Sequence, residues 1–149
     1  MSGRAPNRER TRCSSHGRSL STEFRNGASR DSAQPFKGSI LDSIPETKVN
    51  GDGPRAPNVT NILFDGIEGE AIVIALDLRG FCVSSGAACS SGAVEPSHVL
   101  TAMGLTKSQA RSCIRFSLGL LNTVEQVDAL VSAVIAAVSH LRRLSPVYA

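Results

Sequence analysis

The sequence predicts an α/β fold over residues 39–149, a two-layer unit with helices packed on a small sheet, and three observations carry that prediction. Short β-branched or alternating apolar stretches recur at 59–64, 81–84 and 113–117, the length and composition of strands. Helical patterns separate them. Residues 124–144 then set Val124, Val127, Leu130, Val131, Val134, Ile135, Val138 and Leu141 at helical spacing on one face, a stripe that needs an apolar surface to cover it.

Taken in order, Gly38-Ser-Ile-Leu-Asp-Ser-Ile-Pro45 reads as the last turns of a helix, stopped where Pro45 would clash with a continuing helical backbone. Residues 48–50 follow, then a Gly/Pro-rich turn over 51–57 and the strand 59–64. Residues 68–78 form a short helix that is apolar on nearly every side, with acidic residues in its first turn and Gly80 just past its end, and it is expected to be mostly buried. After the strand 81–84, residues 85–95 form a loop with no large side chain except Val94. Pro96 suits the first position of a helix over 97–103 that stops at Gly104. Thr106-Lys-Ser-Gln109 and Thr123-Val-Glu-Gln126 both carry the capping-box pattern and start further helices on either side of the strand 113–117.

Residues 1–38 differ from this body. They hold eight Lys/Arg against three Asp/Glu, a net +5, while the remainder holds eight against ten, a net −2. Rich in Arg, Ser, Gly and Asn, with Leu20, Phe24 and Phe36 as the large apolar side chains after Met1, the segment is expected to be disordered. Its Arg- and Ser-rich composition also fits an organellar presequence, though its apolar residues lie too far apart for an amphipathic stripe. Because the positive charge sits outside the folded part, which lacks a basic face interleaved with aromatics, nucleic acid is not an expected partner. A membrane is not expected either, since no apolar run approaches the roughly 20 residues a spanning helix needs. Four cysteines without an apolar signal-peptide core point to a reducing, cytoplasmic setting, and their spacing contains neither CxxC nor a Cys/His cluster for zinc.

Two residues stand out chemically. Cys89 lies in Ser84-Ser-Gly-Ala-Ala-Cys-Ser-Ser-Gly92, where small residues imply an exposed, movable thiol in place of a packed one, although a plain flexible loop has the same composition. Cys82 and Cys113 sit in apolar strands and read as small core residues. Arg115, between Ile114 and Phe116, points to the face opposite theirs and needs an anion there. Its planar fork suits a carboxylate, either of a ligand or of Glu68, Glu70 or Asp77 in an internal ion pair. His98 and His140 read as surface residues, neither spaced to partner Cys89 as a catalytic base. No glycine-rich phosphate loop occurs.

The run Val83-Ser-Ser-Gly-Ala-Ala-Cys-Ser-Ser-Gly92 followed by Ile114-Arg-Phe-Ser-Leu-Gly119 resembles the C-terminal small domain of cysteine desulfurases. Pro57-Asn58, Glu68-Gly-Glu70, Ala75-Leu-Asp77, Glu95-Pro-Ser97, Ala102-Met-Gly104 and Leu141-Arg-Arg-Leu-Ser-Pro146 extend the likeness, in order, from about residue 39 to the C-terminus. Within that family the pattern is similar to the NifS/IscS-like branch of the class V, fold-type I enzymes that use pyridoxal phosphate (PLP). The resemblance implies the α+β small domain of those enzymes. It implies that Cys89 is the nucleophile that takes sulfur from a PLP-bound cysteine as a persulfide, and that Arg115 holds the substrate's α-carboxylate. The implied reaction converts L-cysteine to L-alanine and leaves a persulfide for iron–sulfur cluster assembly. An iron–sulfur scaffold or another sulfur-acceptor protein is the implied partner, and a homodimer the family's usual state, which a shorter chain need not share. A metal at Cys89 would arise solely through a persulfide shared with such a scaffold.

The family's PLP lysine follows a histidine in a large domain that precedes this one. Here His16, His98 and His140 precede Gly17, Val99 and Leu141, and the lysines are Lys37, Lys48 and Lys107. Leu120 replaces a second arginine found in many relatives, and Cys113 a serine. The chain is therefore expected to be a truncated desulfurase without its own PLP site, inactive alone or a persulfide carrier. The alternative is a non-enzymatic module that binds sulfur acceptors or an iron–sulfur scaffold.

Overall fold

Four short strands align in one antiparallel sheet, and helices on both sides give it a fully covered face and a partly open one. The computed structural model describes residues 28–54, 56–85, 95–119 and 121–145. Along the chain run α1 (Ala28–Ser43), β1 (Thr47–Val49), β2 (Val59–Phe64), α2 (Gly69–Asp77), β3 (Ser84–Ser85), α3 (His98–Ala102), α4 (Lys107–Arg111), β4 (Cys113–Ser117) and α5 (Val124–Leu144). The sheet order is β1-β2-β4-β3. β1 pairs with β2, the next strand along the chain, while β4 comes from farther on to lie between β2 and β3.

Strand alternation sorts the side chains. Register pairs Thr60 with Phe116 and Ile62 with Ile114, which puts these residues on one face together with Phe64. There they meet Phe36, Ile40 and Ile44 of α1 and its end, Ile72 and Leu76 of α2, and Val127, Leu130, Val134 and Val138 of α5. The Phe116 ring lies tilted at 4.9 Å from that of Phe36 and edge-on at 6.4 Å from that of Phe64. The opposite face carries Val59, Asn61, Leu63, Cys113, Arg115 and Ser117. Leu63 and Cys113 are covered by Leu100 and Ala110 from the short helices α3 and α4. Arg115 and Ser117 are left exposed.

Several elements form as their local chemistry dictates. Thr106 and Thr123 each accept from the amide three residues on, while Gln109 and Gln126 reach back to the cap amides, so both capping boxes are closed. Gly80, at φ 87°, ends α2: its amide donates to Asp77 O and that of Phe81 to Leu76 O, the paired bonds that a left-handed residue makes possible. Gly69 allows contact between elements. A Cβ there would lie 2.6 Å from the Arg111 carbonyl oxygen, so α2 rests directly on the chain entering β4.

Other expectations change. Residues 28–38 are helical, where the sequence suggested disorder through residue 38: Phe36, Ile40 and Ile44 recur every four residues and all enter the core. Residues 1–27 lie outside the described residues. Helix α2 buries Gly69, Ile72 and Leu76 but leaves Ile74 56% and the C-cap Leu78 82% exposed, because it packs on the sheet and α5 along one side and no described element covers the other. Within 81–84, Phe81, Cys82 and Val83 join no strand, since β3 pairs with β4 for two residues at the sheet edge, and Cys82 is exposed where a core position was expected. Val124 is 64% exposed at the start of α5, ahead of the point where the helix meets the sheet, and Ala133 and Ala137 fill the stripe instead. Pro96 lies one residue before the Ser97 cap, outside α3. Although no spanning run was expected, α5 is long and apolar enough by composition to cross a membrane, yet its apolar stripe is spent on the sheet.

Candidate functional site

Arg115 is placed by register. It faces Asn61 on one side and Ser84 on the other, and facing residues of antiparallel strands project to the same side with Cβ atoms roughly 4.5–5.5 Å apart. The row continues to the far edge, because the Asn50 amide donates to Asn61 O and prolongs the β1–β2 ladder by one residue. Asn50, Asn61, Arg115 and Ser84 thus form one polar line across all four strands, on the face that α3 and α4 leave open.

Among the described residues Arg115 makes no ion pair. The internal pairing with Glu68, Glu70 or Asp77 is overturned by topology: α2 lies on the core face of the sheet, and Arg115 points from the other. An exposed guanidinium set between an amide and a hydroxyl suits an acceptor-only, bidentate group, which is the chemistry of a carboxylate.

The Asn61 end of the row is held from behind. Asn50 Nδ2 donates to Asn61 Oδ1 at 2.6 Å and to Cys113 Sγ at 3.1 Å. The Cys113 thiol in turn donates to Gln109 O at 3.1 Å. Burial pushes this thiol's pKa up, with the Asn50 hydrogen bond pulling the other way. Cys113 is therefore a structural cysteine, as its apolar strand suggested. Sequence reasoning missed Asn50 and Asn61. The available signal was an asparagine in the middle of an apolar strand, where that residue type is disfavoured.

Cys89 and Leu120 lie outside the described residues. The strand Ser84–Ser85 that leads toward Cys89 in sequence pairs with Arg115 and Ile114. His98 and His140 are exposed, in keeping with surface positions. On the core side of the same sheet edge, a groove of about 420 Å³ is lined by Phe81, Cys82, Val83, Phe116, Asn122 and Gln126 among others.

PLP asks for a lysine at its aldehyde, donors for its phosphate and an acid at its ring nitrogen. The groove lining contains no lysine, arginine or acid. Lys37, Lys48 and Lys107 stand apart on α1, β1 and α4. The lining of this groove therefore does not fit PLP.

The described residues thus form an α/β domain, a small antiparallel sheet under a long C-terminal helix with Arg115 exposed on its open face. Residues 28–130 match the aminotransferase class-V family, a family of PLP-dependent enzymes, and the chain belongs to it. Over 108 residues it is 50% identical to a cysteine desulfurase of Nostoc sp., covering 72% of this chain and 27% of that protein. With the cysteine desulfurase NifS of Azotobacter vinelandii the identity is 44% over the same shares of each chain. A solved NifS-like protein from Rickettsia africae superposes with a TM-score of 0.64 at 31% identity, over 74% of this chain and 28% of that one. The chain thus spans little more than a quarter of the length of the relatives it matches.

Proposed function

We propose that this chain supplies the sulfur-receiving and carboxylate-binding part of a cysteine desulfurase. Arg115 holds the α-carboxylate of L-cysteine, and Cys89 receives its sulfur. The reading is carried by the position of Arg115, unpaired among the described residues on the open sheet face beside the strand that leads to Cys89. Its support from the relatives is their name and their identity across this segment.

For the chain by itself, in which no described lysine is placed to hold PLP, the sulfur comes instead from a complete desulfurase that has already mobilised it. The Cys89 thiolate attacks the outer sulfur of a donor persulfide, a new S–S bond forms, the donor's S–S bond breaks, and the donor leaves as its thiolate. Cys89 is left as a persulfide that a sulfur-acceptor protein or iron–sulfur scaffold can discharge. The site is cytoplasmic, where thiols stay reduced.

Two measurements test this. The chain mixed with PLP alone is expected to show no aldimine absorbance band, and a band abolished by substituting one of its lysines would overturn the account. Given a complete desulfurase and L-cysteine, the chain is expected to gain the mass of one sulfur atom, and Cys89→Ser to gain none.

A further inference from the structure

Beside the unpaired Arg115, the polar row holds a second donor with no acceptor among the described residues. Asn61 spends Oδ1 on Asn50, and among the described residues nothing accepts from its Nδ2. Its neighbour across the strand is Arg115, which has donors alone and so cannot accept from Asn61 Nδ2.

We propose that Asn61 Nδ2 is the second donor of the anion site centred on Arg115, and that Asn50 and Cys113 are positioning residues that fix which way the Asn61 amide faces. The inference rests on the reading of Arg115 as a carboxylate-binding residue and adds to it. A carboxylate between the two side chains accepts from both, one oxygen toward the guanidinium and the other toward the amide.

The amide's direction follows from a chain of hydrogen bonds that begins at a backbone carbonyl. Gln109 O takes the Cys113 proton, which leaves Sγ as the acceptor facing Asn50. Asn50 must then present Nδ2 to Sγ, and the same nitrogen reaches Asn61 Oδ1. Flipping Asn61 would set its NH2 against that of Asn50, donor against donor. Flipping Asn50 would set its oxygen against both a lone-pair sulfur and the Asn61 oxygen. Each link excludes the reversed orientation of the next, so a buried thiol on the α4 side decides what the open face offers beside Arg115.

The test is a titration of the full 15N-labelled chain with acetate or L-alanine, with sodium chloride at matched ionic strength as the control, following the Arg115 Nε–H and Asn61 Nδ2 signals by NMR. Both are expected to move along one saturating curve. Asn61→Asp, with the amide donor replaced by a like charge, is expected to weaken binding roughly fivefold or more. Asn50→Ala is expected to weaken binding and broaden the Asn61 signals as its amide reorients. Cys113→Ser, which keeps a donor and an acceptor at that point, is expected to bind as the wild type does, and retained dispersion of the backbone signals confirms each variant's fold. Saturation at Arg115 with Asn61 Nδ2 unmoved overturns the inference and leaves the carboxylate reading standing. If Arg115 itself does not respond, or responds equally to chloride, the carboxylate reading fails and the inference with it.

Discussion

The same substitution, Gly to Ala, is expected to have opposite effects at two helical positions, and the difference can be worked from the packing. At Gly69 the added Cβ meets the Arg111 carbonyl oxygen at 2.6 Å, the Cys113 carbonyl oxygen at 3.1 Å and Ile114 Cδ1 at 3.3 Å. Two of these are backbone atoms, one at the end of α4 and one at the start of β4, and β4 sits between two other strands and cannot yield locally. Relief requires α2 to back away, loosening Ile72 and Leu76, both fully buried. Overpacking of this kind costs about 1–3 kcal/mol. The helix preference of Ala over Gly returns at most ~1 kcal/mol, and less in a first turn. A net loss of about 1–2 kcal/mol lowers the melting temperature by roughly 4–8 °C for a domain of this size. At Gly38, inside α1, a Cβ meets nothing within 4 Å. Gly38→Ala is therefore expected to stabilise by about 0.5–1 kcal/mol through helix preference alone. Thermal and urea unfolding followed by circular dichroism measure both. A Gly69→Ala chain as stable as its parent would refute the packing argument, whatever Gly38→Ala does.

Phe36→Ala removes a ring buried to 1% exposure and packed against Phe116, so it should cost about 3–5 kcal/mol in urea unfolding, which checks that residues from 28 onward belong to the folded unit. Thr123→Ala opens the capping box of α5 and should cost about 1 kcal/mol, with Thr123→Ser restoring most of it. For Cys113 the folded pKa is raised, so the folded state holds its proton more tightly than the unfolded one. Stability is then unaffected by this group below its ordinary value of 9.0 and falls as pH rises past it, a slope that Cys113→Ala should remove from pH-dependent unfolding curves.

What the sequence revealed and what it hid divide along the distance over which each feature is determined. Both capping boxes, β2, β4 and the span of α5 depend on residues a few positions apart, and composition and spacing were enough to find them. The face of Arg115 was also legible, because alternation within one strand decides it. The start of α1 was not, since Phe36 looks isolated in a polar stretch until Phe116, far along the chain, packs against it. Nor were the exposed Ile74 and Leu78, whose setting depends on what α2 lies against. The Asn50, Asn61, Arg115 and Ser84 row is hardest of all to read in advance, since it needs the pairing of four strands at once.

The central claim is that sulfur lands on one thiol of the four the chain carries. Peptide mapping by mass spectrometry, after incubation with a complete cysteine desulfurase, PLP and L-cysteine and trapping of persulfides by alkylation, tests it most directly. The account predicts the extra sulfur on the peptide that contains Cys89, lost in Cys89→Ser. Sulfur spread over Cys13 and the exposed Cys82, or an unchanged yield in Cys89→Ser, would contradict it.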